Sequence, residues 1–329
     1  MKRRMFLQVG TGAAVAAGMT ALAWGRGPTA GEVRHGGAMR DLTAAEYRAA
    51  RRYAELRFGR IAYIDKGAGT VALFLHGAPL NSFQWRGAIA RLASAQRRCI
   101  APDFMGLGYS EPLPDQQLDA AAQAEMLAAL LDHLRIQQVD IVASDSGGAV
   151  AQLFAAAHPE RVRTMLLTNC DVEPDSPPAP VMPVIELART GKLADSTAAW
   201  LTDRALCRST FGQAVFHDPA RLADDTIDYY VTPLVSTPVR RKQYEDFHLA
   251  LVPNPLAGLE AKLKRSAVPV RIVWGAADTI FPLKDAQYLD RTFPTSRGIR
   301  TVPEGKLFWQ EEYPAIIAEE ARKLWAARA

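Results

Sequence analysis

The 329-residue sequence predicts an α/β fold, in which a mostly parallel sheet of eight strands is covered by helices on both faces. Short runs rich in Val, Ile and Leu alternate with amphipathic helical stretches, which is typical of a parallel sheet buried on both faces. Hydrophobic residues make up 49% of the chain and charged residues 22%, enough for one large core. One long interval without strand-like patterns indicates an inserted helical lid.

The predicted strands form an initial hairpin followed by strand–helix units. They are Glu55–Phe58, Arg60–Asp65, Val71–Leu75, Arg98–Pro102, Val139–Ala143, Thr164–Thr168, Val270–Trp274 and Ile299–Val302. The predicted helices are Ser82–Ser94, Ala120–Leu134, Gly148–Ala157, Lys284–Phe293 and Tyr313–Ala327. The interval without a strand opens with a proline cluster, which continues neither a helix nor a strand. The sequence therefore predicts a core at residues 53–172 and 267–329 and a helical lid at residues 173–266.

The N-terminus predicts export. Three basic residues at positions 2–4 precede a weakly hydrophobic, Gly- and Ala-rich stretch without an acidic residue, the pattern of a twin-arginine signal. The stretch is too short and glycine-interrupted for a stable membrane anchor, and Ala21-Leu22-Ala23 offers a cleavage site. We expect a signal at residues 1–23, an extension at residues 24–52, and an exported protein that is periplasmic or secreted.

Charge and cysteine content narrow the possible ligands. The formal net charge is +4, and the leader carries most of it, which argues against a nucleic-acid groove. Cys99, Cys170 and Cys207 are an odd number, so at least one stays unpaired in a monomer. The sequence holds no metal-type Cys/His spacing and no nucleotide-phosphate loop, so we expect no metal, cofactor or nucleotide.

The turn Val142–Gly148 joins a predicted buried strand to a helix and has the spacing of a nucleophile elbow. Two registers fit: Asp145 between Ala143 and Gly147, or Ser146 one position later. Small neighbours are needed because the tight turn leaves no room for larger side chains. Such a turn aims backbone N–H groups at the group under attack.

A second motif follows directly after a predicted strand, at Phe74–Pro79. We expect the backbone N–H groups of Ala78 and Ser146 to converge on a developing negative charge. His76 is expected to fix this loop rather than to act as a catalytic base.

These motifs resemble the α/β-hydrolase superfamily, and specifically its haloalkane dehalogenase and epoxide hydrolase branch, which uses an aspartate nucleophile. The resemblance extends from about Arg57 to Trp325, and its most similar runs are His76–Arg86 and Cys99–Ser110. The sequence of the helix that follows the elbow resembles the family's when Asp145 is placed at the apex of the elbow. The resemblance implies that Asp145 forms a covalent ester with its substrate and that a histidine activates the water that cleaves it.

Several positions depart from the family pattern. Where dehalogenases carry the side-chain N–H donors for the leaving halide, this chain has Ala78 and Ser146, which have none. Epoxide hydrolases instead protonate the opening oxygen with lid tyrosines, and the predicted lid contains Tyr229, Tyr230 and Tyr244.

The family's acid follows the seventh strand and corresponds to Asp278, with Asp171 after the sixth strand as the alternative. The family's histidine position corresponds to Leu307, because the Gln310-Glu311 pair keeps its place. The resemblance therefore implies a site without its usual base.

Three interpretations remain open. In the first, a residue elsewhere in the chain supplies the base, with His217, His248 and Lys306 as candidates. Alternatively, Asp145 acts as a general acid or base in an elimination, cyclisation or isomerisation. In the third, the protein is a binding module without turnover. Serine hydrolysis through Ser146 would also lack its histidine. In each, the ligand is a small to medium apolar molecule between elbow and lid.

Overall fold

The computed structural model describes residues 40–327. Within this range, the strands are β1 Arg51–Leu56, β2 Gly59–Lys66, β3 Thr70–Leu75, β4 Arg97–Pro102, β5 Glu111–Pro112, β6 Val139–Asp145, β7 Val162–Cys170, β8 Val270–Gly275 and β9 Ser296–Val302. They form one sheet in the order β1-β2-β4-β3-β6-β7-β8-β9, with β5 paired to β2. The pairs of β2 with β1, β4 and β5 are antiparallel, and every other pair is parallel. The expected export signal and most of the expected extension lie outside the described residues.

The helices cover both faces of this sheet. They are α1 Ala44–Ala50, α2 Arg86–Leu92, α3 Ala120–His133, α4 Ser146–Ala157, α5 Met182–Arg189, α6 Leu193–Ala198, α7 Arg204–Cys207, α8 Gln213–Val215, α9 Asp224–Val235, α10 Pro238–Leu249, α11 Glu260–Leu263, α12 Leu283–Thr292, α13 Trp309–Glu312 and α14 Pro314–Ala326. Helices α5 to α11 lie between β7 and β8 and form the cap. No helix among residues 40–327 is both long enough and apolar enough to cross a membrane.

The predicted α/β fold is confirmed, and two details at the sheet edge differ. The first strand was expected at Glu55–Phe58, but β1 begins at Arg51, inside the expected extension. The hairpin register pairs Leu56 with Gly59, so Arg57 and Phe58 form the turn. Gly59 has a φ of 116°, and a Cβ there would lie 2.4 Å from a backbone oxygen of β5, so glycine fixes the turn at this position. The strand that the sequence did not predict is β5, which is two residues long.

The parallel centre of the sheet forms the core. All seven residues of β6 are buried, because helices pack on both of its faces. All three cysteines are buried and unpaired. The predicted helix Ser82–Ser94 is split, since Ser82–Trp85 form a 3₁₀ turn before α2.

A buried ion pair joins the core, the cap and the segment after β9. Arg86 of α2 pairs with Glu311 of α13, and their side chains are 14% and 4% exposed. Tyr230 of α9 donates to Glu311 Oε1 at 2.8 Å. Burial raises the pKa of Glu311, and the Arg86 guanidinium acts in the opposite direction. The position of the segment around Leu307 therefore depends on this carboxylate.

The substitution Arg86→Met is expected to lower the free energy of unfolding by about 3–5 kcal/mol, because it leaves the Glu311 carboxylate buried without a cation. Urea unfolding at pH 7 measures this loss. Arg189→Met is the control, because it breaks an exposed pair with Glu186 and is expected to change stability by less than about 1 kcal/mol. Equal losses in the two variants would contradict the role assigned to the buried pair.

Candidate active site

Asp145 occupies the apex of a strained turn. It is the last residue of β6 and directly precedes α4, with φ 56° and ψ −134°. A non-glycine residue adopts these angles only where the surrounding packing enforces them. At Gly147, a Cβ would lie 2.5 Å from the carbonyl oxygen of His76 and 2.7 Å from that of Leu75. Because both obstacles are backbone atoms, only glycine fits there.

Two backbone N–H groups hold one oxygen of the Asp145 carboxyl. Asp145 Oδ1 accepts from the N–H of Ala78 at 2.8 Å and from the N–H of Ser146 at 2.6 Å. The Ser146 N–H belongs to the first turn of α4, where the helix dipole favours negative charge. Burial raises the pKa of Asp145, and the two N–H groups act in the opposite direction. This cradle is suited to stabilise negative charge on Oδ1.

His76 supports the loop that carries Ala78. Its Nε2 accepts from the N–H of Phe104 at 2.9 Å, so its Nδ1 donates to the Gly77 carbonyl, also at 2.9 Å. Burial lowers the pKa of His76. Both ring nitrogens are bonded to backbone, so neither faces a substrate.

A chain of buried amides extends this support. The Gly77 N–H donates to Gln84 Oε1 at 2.9 Å, and Gln84 Nε2 contacts Gln310 Oε1 at 3.4 Å. Gln310 Nε2 in turn donates to Thr168 Oγ1 at 2.7 Å. Sequence reasoning used Gln310 only as an alignment marker and missed this chain, because its partners lie on distant segments.

The expected acid, Asp278, is bonded to an amide. Its Oδ2 accepts from Asn169 Nδ2 at 2.8 Å and its Oδ1 from the N–H of Ile280 at 2.8 Å. Asn169 is itself fixed, since its Oδ1 accepts from Trp309 Nε1 at 3.0 Å. Burial raises the pKa of Asp278 to about 6. Sequence reasoning missed Asn169 as the donor to this acid. Leu307, at the position of the family's histidine, is buried, with 2% of its surface exposed.

A cavity of about 420 Å³ lies between the elbow and the cap. Asp145, Ser146, Ala78 and Leu307 all border it. Most of the remaining lining is apolar and comes from the cap and the loop after β8, and it includes Val181, Val184, Leu193, Trp200, Phe211, Val215, Leu251, Ile280 and Phe281. The volume and lining suit a small to medium apolar molecule.

Asp171 borders the same cavity as Asp145. It directly follows β7, and Ser176 Oγ donates to its Oδ1 at 2.7 Å. Burial, followed by the negative charge of Asp145, raises the pKa of Asp171 to about 7. The cavity therefore brings together two carboxyls whose pKa values are both raised by burial.

Two of the three candidate substitute bases, His217 and Lys306, lie away from the cavity. The side chain of His217 is 44% exposed and lies 3.6 Å from Glu304. Lys306 Nζ donates to the carbonyl of Gln213 at 2.5 Å. Neither borders the cavity, because both side chains are directed toward other partners.

His248 does line the cavity. Its Nδ1 lies 2.9 Å from the carbonyl oxygen of Tyr244, and burial lowers its pKa to about 4. Of the three lid tyrosines, Tyr244 borders the cavity. The hydroxyls of Tyr229 and Tyr230 instead bind Arg51 and Glu311.

The sheet, the elbow and the covered cavity together form a candidate active site at the carboxyl ends of the parallel strands. A family model described as alpha/beta hydrolase fold matches residues 71–308, and the chain belongs to the α/β-hydrolase family.

Curated relatives and solved structures agree with this assignment. Haloalkane dehalogenase 2 of Mycobacterium tuberculosis is 27% identical over 264 residues, covering 79% of this chain and 89% of that protein. A 2-hydroxymuconate semialdehyde hydrolase of Pseudomonas putida is 43% identical over 104 residues, covering 31% of this chain and 37% of that protein. The solved structure of epoxide hydrolase CorEH has a TM-score of 0.69 at 23% identity, covering 85% of this chain and 99% of that one. The named relatives are hydrolases.

The raised pKa of Asp171 has a consequence for stability. A carboxyl that holds its proton more tightly in the folded state destabilises the protein once the pH exceeds its unfolded pKa. This destabilisation increases with pH until the pH exceeds the pKa of about 7 that Asp171 has in the folded state.

Asp171→Asn is therefore expected to raise the free energy of unfolding relative to the wild type at pH 8, by on the order of 1–3 kcal/mol, and by much less at pH 4. Urea titrations at both values measure the difference. The exposed Asp115→Asn is the control, and a pH-independent effect of Asp171→Asn would contradict the prediction.

Proposed function

We propose that the protein is a hydrolase that attacks a carbon atom of a small to medium apolar electrophile with the Asp145 carboxylate. The cradle at Asp145 Oδ1 carries the proposal. It fixes one carboxylate oxygen at 2.8 Å and 2.6 Å from two N–H groups, while the carboxyl borders the apolar cavity. A carboxylate held in this way needs no base to attack, because it is already a nucleophile.

The same cradle serves both steps of the proposed reaction. Oδ2 attacks the substrate carbon and forms an ester, and Oδ1 becomes the carbonyl oxygen of that ester. When water adds to Cγ of Asp145, the negative charge develops on Oδ1, between the N–H groups of Ala78 and Ser146. Preorganised donors of this kind lower the barrier because they need no rearrangement as the charge appears.

The proposed substrate is a strained cyclic ether such as an epoxide. Ala78 and Ser146 offer no side-chain N–H to a departing halide. The hydroxyl of Tyr244 belongs to a side chain that borders the cavity and lies 3.2 Å from Thr197 Oγ1. Burial raises the pKa of Tyr244, so its hydroxyl keeps its proton and remains a donor for the opening ring oxygen. The similarity in fold to a structure named as an epoxide hydrolase is consistent with this choice.

Asp145→Asn tests the nucleophile. Intact-mass spectrometry after acid quenching is expected to detect wild-type protein heavier by one whole molecule of 1,2-epoxyhexane, with the added mass on the peptide that contains Asp145. In the variant, formation of this adduct is expected to fall by at least about 10³-fold, because a neutral amide is a poor nucleophile. Asp140→Asn is the matched control, since it removes a buried carboxyl at the opposite end of β6 that does not border the cavity. An adduct on another residue, or an unaffected rate in Asp145→Asn, would overturn the proposal.

Tyr244→Phe tests the donor. The substitution is expected to slow adduct formation with 1,2-epoxyhexane by about 10²-fold, because the opening oxygen loses its proton source. Attack on 1-bromohexane, which releases a halide, should change little. Tyr230→Phe is the control, because it removes a cap hydroxyl that bonds to Glu311. Equal slowing with both probes would contradict a role in protonating oxygen.

A further inference from the structure

We infer that Asp171 is the general base that activates the hydrolytic water, in place of the histidine that is absent at position 307. The inference rests on the proposed function, because the water it activates is the one that cleaves the Asp145 ester. Asp171 would then be a catalytic residue in its own right, without an imidazole between it and the water.

The sheet places Asp171 beside the nucleophile. Strands β6 and β7 are parallel neighbours, and their register pairs Asp145 with Cys170. Asp171 is the next residue along the chain, so it leaves the sheet at the same edge as Asp145. Both residues border the large cavity. Neighbouring strands lie roughly 5 Å apart, so the two residues enter the same cavity from adjacent positions at the edge of the sheet.

A second, small cavity adjoins this point. It has a volume of about 20 Å³ and is bordered by Ser146 and Asp171, which both border the large cavity as well. A volume above about 10–15 Å³ accommodates one water molecule where polar partners are available.

Most of the lining of the small cavity is apolar, and two polar side chains in it, those of Ser146 and Asp171, are available to a water. Ser146 Oγ is buried beside the Asp145 carboxyl, whose pKa it lowers, and its lone pairs remain available to accept from a water. Gln123 and Asp119 also border the small cavity, but their side chains already bond to backbone groups of the chain. Ser146 and Asp171 are therefore the partners left for a water. A water there would contact the Asp171 carboxyl and the Ser146 hydroxyl, one residue from Asp145.

The protonation state of Asp171 depends on the charge of Asp145, which changes during the proposed reaction. The charges that face it are those of Asp145 from β6 and Asp285 from α12, and both raise its pKa. His248 of α10 lines the same cavity and is neutral at pH 7, because burial lowers its pKa to about 4. When Asp145 becomes an ester, it loses its negative charge, so the pKa of Asp171 falls. The carboxylate form of Asp171 therefore becomes more populated at the step that needs a base.

The proposed hydrolytic step balances as follows. The water oxygen attacks Cγ of Asp145, Asp171 takes one proton from the water, and the negative charge moves to Oδ1. The tetrahedral intermediate then collapses, and the bond breaks between Cγ and Oδ2, the oxygen that is attached to the substrate carbon. That oxygen takes the proton from Asp171 and leaves as an alcohol. Asp145 is left as a carboxylic acid, and its ionisation releases the proton that the opening epoxide oxygen consumed.

Asp171→Asn separates the two steps. With 1,2-epoxyhexane and acid-quenched intact-mass spectrometry, the variant is expected to form the Asp145 adduct at a rate close to that of the wild type. Decay of the adduct is expected to slow by at least about 10²-fold, the typical contribution of a general base. The control Asp140→Asn, which removes a buried carboxyl at the opposite end of β6 from Asp145, should leave the decay rate within a few-fold of the wild type.

The pH profile separates a chemical role from a structural one. In the wild type, the decay rate should rise with pH and level off, with an apparent pKa at or below the value of about 7 for Asp171 in the free protein. This dependence should be absent in Asp171→Asn and restored in part by Asp171→Glu. A perturbed fold would lower the rate without removing the pH dependence.

The outcomes are distinguishable. Decay in Asp171→Asn at the wild-type rate, or a permanent adduct in the wild type, would overturn the role of Asp171 and leave the attack by Asp145 intact. If neither protein forms an adduct or a diol, the proposed function fails, and the role of Asp171 fails with it. Loss of decay in His248→Gln, with normal decay in Asp171→Asn, would transfer the role to the imidazole of the cap.

Discussion

Two hydrogen bonds to one oxygen of Asp145 constrain the whole site. They require the elbow to hold Asp145 at a positive φ and the loop after β3 to present the N–H of Ala78 at 2.8 Å. The first requirement explains the glycine at position 147, where backbone oxygens leave no room for a Cβ. The second explains why both ring nitrogens of His76 form hydrogen bonds with backbone groups. The site is therefore rigid on the side of the sheet, and the cap supplies the apolar cover.

Within residues 40–327, burial rather than a neighbouring cation sets the electrostatic character of the carboxyls of Asp145, Asp171 and Asp278. Burial raises the pKa of Asp145, and that of Asp171 to about 7 and Asp278 to about 6. In a site with an imidazolium, such charges would be compensated in part. Here the compensation comes from backbone N–H groups and from the amide of Asn169. Neutral donors orient a carboxylate without accepting its proton, so in the proposed hydrolytic step the proton of the water passes to a carboxyl.

Sequence patterns predicted the features that depend on neighbours along the chain. The buried strands, the elbow at Val142–Gly148 and the helical interval after the sixth predicted strand all belong to this group. The first strand was misplaced because the Gly59 turn depends on a contact with β5, a two-residue strand that carries no pattern of its own. The same limit applies to the site. Asn169 and Gln310 bond across distant segments, and the directions of His217 and Lys306 depend on Glu304 and on Gln213, which no spacing rule identifies.

Oxygen labelling during a single turnover tests the central claim most directly, that the Asp145 carboxylate forms a covalent ester and is regenerated. Excess enzyme would react with 1,2-epoxyhexane in water enriched in ¹⁸O, followed by mass analysis of the diol and of the peptide containing Asp145. The account predicts that the first diol carries no label and that the peptide gains one ¹⁸O, because the oxygen transferred to the substrate comes from the aspartate. Labelled diol with an unlabelled Asp145 peptide would contradict it, since water would then have attacked the substrate directly.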